Sequence, residues 1–414
     1  MAAVYPALLS LMLMALTLTS YHRYSSHERA STSSVSKERG AKNLTVYAMA
    51  VGQGDGNIIL CPNGRDIVIV DMGSSQPYAN ESYGGYLLEK FRALSNNMDI
   101  HIVITHSDLD HYSFLPDTFH ENGQLIKNVK EIVLGSRYSK YTKNKRFLSW
   151  LNKIRAEVPM YTVNDEHECF GNSECIWTPA PTTANYMHIK KPTGYDLWQF
   201  CGEDVHIIVL GANICENTGT RLNNNACSIV IKLVYKDWSL FLSGDLEGVE
   251  QQKKLIKRSK EPLQSTYYKV AHHGAWTDTP YTSANLPKLL RAVRPKRAYV
   301  SSAHPLVSKY SHPRCEVFDH LKELRSIDQT DFRNGVCTEC CRSKLRRCSS
   351  RRSIVQSCKH YPIYETCRYY DHNSGCQICQ DIEITTDGYN DYTVYRSVPD
   401  EYVKPSSINC QRPQ

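Results

Sequence analysis

The chain is 414 residues long, with 49 Lys and Arg against 42 Asp and Glu and a formal net charge of +7. That length can bury a sizeable core in one large domain or two, and so mild a charge does not single out a polyanion or an acidic substrate as partner. Residues 7–19 form the only N-terminal apolar run, thirteen residues long, short of the roughly twenty that a membrane span needs. The run reads as the core of a secretory signal peptide over 1–20, so a secreted protein without a stable membrane span is expected. Sixteen cysteines fit that route, because an oxidising compartment turns them into disulfides. The sequons at Asn43 and Asn80 are candidate glycosylation sites there.

Residues 21–43, rich in Ser and charge, read as a disordered lead-in. Three short strands are expected at 44–51, 57–61 and 66–70, separated by the turn Gly52-Gln-Gly-Asp-Gly56 and the hairpin signal Pro62-Asn-Gly64. A helix over 83–94 follows, with apolar residues at Tyr83, Tyr86, Leu87, Phe91 and Leu94, then a strand at 101–104. Further strands are expected at 129–134, 205–210, 228–235, 239–243, 267–271 and 297–301. They alternate with helices at 144–157, 247–259, 286–293 and 313–324. Strand then helix, repeated, is the α/β pattern, classed α+β in some schemes. Beyond residue 328 the apolar periodicity fades and cysteines crowd in. The expected organisation is one domain over 44–327 and a small disulfide-stapled, cysteine-rich appendage over 328–414.

The densest chemistry lies directly after the apolar run 100–104, in Thr105-His106-Ser107-Asp108-Leu109-Asp110-His111. These four ligand-type residues cannot share one helical face, but a loop leaving a strand end can fold them around one or two cations. Mixed imidazole and carboxylate suits Zn²⁺, Mn²⁺ or Fe rather than Ca²⁺. Three other apolar strands end on the same kind of residue: Asp71, Asp245 and the pair His272-His273. In α/β architectures ligands collect at the carboxyl ends of strands.

Gly52-Gln-Gly-Asp55, Asp71-x-Gly73, His106-x-Asp-x-Asp-His111, Ser243-Gly-Asp245 and His272-His-Gly274 occur in the order of metallo-β-lactamase-fold hydrolases. With Asn225-x-x-Ser228 and Tyr310-Ser-His312-Pro313, the chain more narrowly resembles the ComEC-type branch, the metallo-hydrolase domain of bacterial DNA-uptake channels and its free-standing relatives. The resemblance covers roughly residues 44–325. It implies an αββα sandwich with a metal centre at one edge between two sheets. His106 and Asp108 would serve one divalent ion, Asp110 and His111 a second, and Asp245 would bridge them. One of His272 and His273 would complete the second site, with Asp71, Asp55, Asn225 and Ser228 behind the ligands.

The commoner family loop has His where Asp108 stands, and the His that many relatives carry before the bridging Asp's strand is replaced in the region of Asn225 and Ser228. The first site is therefore poor in nitrogen. One or two ions are expected, Zn²⁺ with Mn²⁺ as the alternative. Such a centre lowers the pKa of a shared water, which Asp110 would position while His312 protonates the leaving oxygen. A phosphodiester, including nucleic acid, is the expected substrate. A lactonase or thioesterase, and a non-catalytic binding protein on the same fold, are the alternatives. The basic cluster at 342–352 reads as a solvated surface, a processing site or a phosphate-binding stretch. Cys337-x-x-Cys340 and Cys376-x-x-Cys379 are too widely separated for a zinc ribbon of the usual ~15–20-residue gap, and read as disulfide partners.

Overall fold

The computed structural model describes residues 43–77, 83–94, 98–120, 123–136, 138–163, 168–171, 175, 177–179, 201–214, 224–275, 286–303, 310, 312–313, 317, 321, 324, 363–371 and 376–398. Residues 1–40 form a unit of their own that lies wholly outside this set, and the fold belongs to the second unit, Ala41–Gln414. The signal-peptide and lead-in expectations, Asn80 and the basic cluster at 342–352 therefore lie outside the described residues, while Asn43 is exposed just ahead of the first strand.

The first half of the fold runs β1 (Leu44–Ala48), β2 (Gly52–Gln53), β3 (Gly56–Leu60), β4 (Asp66–Met72), β5 (Gln76–Pro77), α1 (Tyr83–Leu94), β6 (Asp99–Ile104), α2 (Leu115–Thr118), β7 (Val129–Leu134), α3 (Lys145–Ile154), β8 (Met160–Val163) and β9 (Trp177–Pro179). The second half runs β10 (Val205–Gly211), β11 (Val230–Tyr235), β12 (Trp238–Leu242), α4 (Val249–Arg258), β13 (Tyr267–Lys269), α5 (Leu286–Val293), β14 (Arg297–Val300), β15 (Ile363–Glu365), β16 (Cys367–Asp371), β17 (Cys376–Thr386) and β18 (Asp391–Ser397). One ten-stranded sheet has the order β16-β17-β1-β3-β4-β6-β7-β8-β9, with β18 on β17, and a six-stranded sheet has the order β10-β11-β12-β13-β14-β15.

The layers follow from the alternation of side chains along the strands. Strands buried on both faces read as near-continuous apolar runs, and here each run splits between two cores. Ile67 and Ile69 of β4 and Ile100, Ile102 and Ile104 of β6 pack with Tyr86, Leu87 and Phe91 of α1 and Phe147, Trp150 and Leu151 of α3. The alternate residues Val68, Val70 and Val103 face Ile231, Leu233, Leu240 and Leu242 of the other sheet. On the far side of that sheet, Phe241, Tyr268, Ala298 and Val300 meet Leu255 of α4 and Leu289, Leu290 and Val293 of α5. The result is an αββα sandwich. Helix α3 begins where Asn144 accepts the amide of Phe147, an N-cap that satisfies one of the donors a first turn leaves unpaired. Of the helix expected over 313–324, only isolated residues are described, among them Val317 and Leu321, which are buried in the core beneath α4 and α5.

In the cysteine-rich region expected beyond residue 328, β15 pairs in parallel with β14 and β17 pairs antiparallel with β1, so its described strands extend both sheets. Ile382 and Ile384 reach the inter-sheet core. Asp381, on the same strand, is fully buried and accepts the Ala50 amide at 2.8 Å and the Tyr86 hydroxyl at 2.6 Å, and it pairs with Lys90. Disulfides join Cys61 to Cys201, Cys169 to Cys175 and Cys367 to Cys379. The last of these takes Cys379 out of any zinc ribbon.

The parallel strands β4, β6, β12 and β13 deliver their carboxyl ends, and with them the motif residues, to one edge of the sandwich.

Candidate metal centre

The loop after β6 folds over the turn that follows β2 because two glycines let it come close. A Cβ on Gly54 would stand 2.1 Å from the Gly73 carbonyl oxygen and 2.7 Å from that of Asp110, and one on Gly73 would stand 2.4 Å from the Tyr112 nitrogen. The Asp55 amide donates to the Asp110 carbonyl at 3.0 Å, and the Gly73 amide to that of Asp55 at 2.9 Å. Asp71 is held in left-handed backbone with φ 60°. Its carboxylate accepts the amide and hydroxyl of Thr105 at 2.7 and 2.8 Å and lies 2.9 Å from His111 Nδ1. Burial pushes the Asp71 carboxyl up, and His111 opposes that shift.

Opposite, His272 and His273 both sit in left-handed backbone, φ 49° and 54°, a conformation that costs a non-glycine residue about 1–3 kcal/mol. The turn is completed by Gly274 at φ 77°, where a Cβ would meet that of Pro313 at 2.5 Å. That close approach brings His312 to the rim, its ring 5.6 Å from that of His272 and edge-on to it.

Three imidazoles converge on one oxygen through Nε2, and two of them, His111 and His273, are anchored by hydrogen bonds at Nδ1. His111 is anchored by Asp71, His273 lies 2.9 Å from the Ser301 carbonyl, and His272 lies 3.0 Å from Glu247 Oε2. Their Nε2 atoms stand 3.2, 3.2 and 3.8 Å from Asp245 Oδ2. Asp110 Oδ2 is 3.6 Å from His273 Nε2. The Asp245 amide donates to Ser228 Oγ at 3.1 Å, and the same hydroxyl lies 3.4 Å from Nδ1 of the buried His106. Asp108 is the outlying member: its side chain is 41% exposed, 3.8 Å from His106 Nε2, and its Oδ1 accepts the Asn224 amide at 3.0 Å. The Asn225 amide donates to Glu247 Oε1 at 3.2 Å.

The donor set fits a divalent cation. Donor atoms of Asp55, His111, Asp245 and His273 lie within 4.8 Å of one another, all buried. Among the described residues, the Nε2 atom of His106 is buried without a hydrogen-bond partner, a state that costs about 1–3 kcal/mol unless something takes its lone pair or proton, and those of His111 and His273 meet only carboxylates. Electrostatics point the same way. Burial alone would lower His273, yet Asp245 and Asp55 outweigh it and push it up to about 10. His111 is raised for the same reason by Asp245 and Asp71. Burial also acts to raise Asp245 and Asp110, but their histidine neighbours hold both well below the usual carboxylate range. His106, buried and next to His111, is driven well below 6.5. The carboxylates hold protons on the imidazoles that a cation would replace.

Sequence reading identified every residue of this cluster except three that stand around it. Glu247 and Asn224 stand beside His272 and Asp108; locally the first reads as the start of the expected helix at 247–259 and the second as part of a polar loop. Lys269, 1% exposed, is the third. Its ammonium pairs with Asp55, donates to the Gly244 carbonyl at 3.0 Å and lies 3.6 Å from Asp245 Oδ1. Burial opposes its charge, but Asp55 and Asp245 hold its pKa above the ordinary value.

No family model and no curated protein matches this chain. Among solved structures it is similar to one described as a new diphosphatase from the PhnP family, at 13% identity and TM-score 0.32, over 63% of this chain and 87% of that one. A likeness of that size identifies neither a family nor an activity.

Proposed function

We propose that the chain is a secreted, metal-dependent hydrolase of phosphodiester bonds built on a metallo-β-lactamase-like sandwich. The observation that carries the metal reading is the convergence of His111 and His273, each anchored at Nδ1, with Nε2 3.2 Å from Asp245 Oδ2. Anchored Nδ1 atoms are how proteins fix the tautomer and aim of ligating histidines. In this reading two ligand sets would share Asp245, one of His106, Asp108 and His272 and one of Asp110, His111 and His273. Sequence left His272 and His273 as alternatives; here each would serve.

A bound divalent cation supplies a hydroxide at neutral pH and positive charge for the leaving oxygen. The protein's own groups do the rest. Asp110, kept ionised by His273 and His111, accepts a hydrogen bond from the attacking water and orients it. His312, at the rim beside His272, donates a proton to the departing oxygen. The narrower resemblance to the ComEC-type branch, carried by the Gly52-Gln-Gly-Asp55 turn with Asn225-x-x-Ser228 and Tyr310-Ser-His312-Pro313, favours a phosphodiester over a lactone or thioester. The disulfides support an oxidising, extracellular setting.

Elemental analysis of the purified chain, paired with cleavage of bis(p-nitrophenyl) phosphate, single-stranded DNA and cyclic nucleotides, tests this. The wild type is expected to retain Zn²⁺ or Mn²⁺ and to cleave at least one of them, and Asp245→Ala to lose both properties. Retained metal without cleavage of any phosphodiester would move the reading to a binding protein or another ester class.

A further inference from the structure

By distance alone Asp55 is a cation ligand, since its carboxylate lies within the 4.8 Å cluster with His111, Asp245 and His273. Its partner argues otherwise. The buried ammonium of Lys269 pairs with Asp55 Oδ2 and stands 3.6 Å from Asp245 Oδ1, on the side away from the imidazoles that face Oδ2. We propose that Lys269 is a resident counter-ion of the centre: it balances Asp55, withholds that carboxylate from metal, and leaves Asp245 to present Oδ2 alone to the imidazole side. The inference rests on the metal reading of the site and adds the residue that limits how many carboxylates the ions receive.

Three features carry it. A buried ammonium that loses its nearest anion is strongly destabilising, so Asp55 Oδ2 cannot turn to a metal without leaving Lys269 to Asp245, 3.6 Å away. The backbone that carries Asp55 is fixed, because its amide and carbonyl are both tied, to the Asp110 carbonyl and the Gly73 amide, and its neighbour Gly54 accepts the Ser301 hydroxyl at 2.8 Å. The Lys269 ammonium is fixed from a second direction by the Gly244 carbonyl, in the residue before Asp245. Lys269 is thus a positioning residue acting through Asp245 and Asp55.

The test is uptake of Zn²⁺, and separately Mn²⁺, by the full chain, measured by calorimetry and elemental analysis, with near-ultraviolet circular dichroism confirming the fold. The variants are Asp55→Asn and the charge-neutral pair Asp55→Asn/Lys269→Met. Replacing both members of a buried ion pair is the tolerated change, and Asp55→Asn/Lys269→Gln guards against a packing failure. With Lys269 unpaired beside Asp245, Asp55→Asn is expected to bind its ions at least about tenfold more weakly, the scale of a lost supporting partner. The neutral pair is expected to return to the wild-type stoichiometry and affinity. A double variant that stays as weak as Asp55→Asn, or holds fewer ions, makes Asp55 a ligand and overturns the inference. So does an Asp55→Asn chain that binds like the wild type. Failure of the metal reading looks different: the wild type itself would take up no ion, and both readings would then fall.

Discussion

At neutral pH and without a cation, the imidazole of His273 holds a proton, because Asp245 and Asp55 push its pKa up to about 10. A metal must displace that proton, and the one on His111, so ion uptake releases protons and apparent affinity climbs as pH rises toward about 10. Calorimetry in two buffers of different ionisation enthalpy reads this directly, and uptake with no proton release would contradict it. In chelator the sign reverses for stability. A raised folded pKa stabilises fully below the ordinary value of 6.5 and is lost as pH climbs through about 10. Ion-free wild type is therefore expected to lose stability from pH 6.5 upward, and His273→Ala to lose less. Residues of this kind were legible in the sequence as types at strand ends, but their individual geometry was not. His272 and His273 are neighbours, and only the left-handed turn that splays them, with Ser301 behind one and Glu247 behind the other, separates their positions. Lys269 was invisible for a related reason: a lysine in a three-residue strand reads as a solvated break, and its anion, Asp55, is far away in the chain.

Strand β17 shows the same limit one level up. Its stretch Asp381-Ile-Glu-Ile-Thr alternates in the manner of a half-buried strand, yet it sits in a cysteine-rich context where apolar periodicity fades. The acidic residue Asp381 in this strand is fully buried. Burial works because Lys90 on α1, 291 residues earlier, neutralises Asp381, while Tyr86 and the Ala50 amide fill its remaining acceptor sites. No local window contains that information. Asp381→Ala would strand a buried ammonium and a backbone amide, and is expected to lower unfolding free energy by about 3–5 kcal/mol in urea titrations. A loss under 1 kcal/mol would mean that water reaches Lys90 and the strand is not held as described. By contrast β4, β6 and β12 were legible with near-correct bounds, because a strand buried on both faces announces itself by an unbroken apolar run.

For the whole molecule, the strand–helix alternation was enough to expect an α/β fold, while the two sheets and four layers were what the family resemblance implied. What the pattern could not supply was closure. Cys61 follows β3 in one sheet and Cys201 precedes β10 in the other, so their disulfide ties the two sheets together across 140 residues. Chain-entropy arguments give a loop of that length roughly 5 kcal/mol at most, and removal of native disulfides costs about 2–5 kcal/mol. Cys61→Ser/Cys201→Ser is expected to fall in that range, read as a lower urea midpoint with an unchanged fold at room temperature. A midpoint equal to that of the wild type would show that packing alone holds the sheets together.

The pairing of β1 with β17 has a consequence for how the protein is born. Thr45 meets Thr385 across 340 residues, so the first strand to emerge during synthesis waits for almost the last. Every residue proposed to face a cation, from His106 to His273, is made before the strands that complete both sheets. The nascent chain therefore carries a full set of donors without a finished scaffold, and a buried site of this kind takes its ion as it folds. Selection among divalent metals follows availability as much as affinity. If the proposed centre holds a metal, its identity is then expected to be set by the compartment in which the last described strands dock.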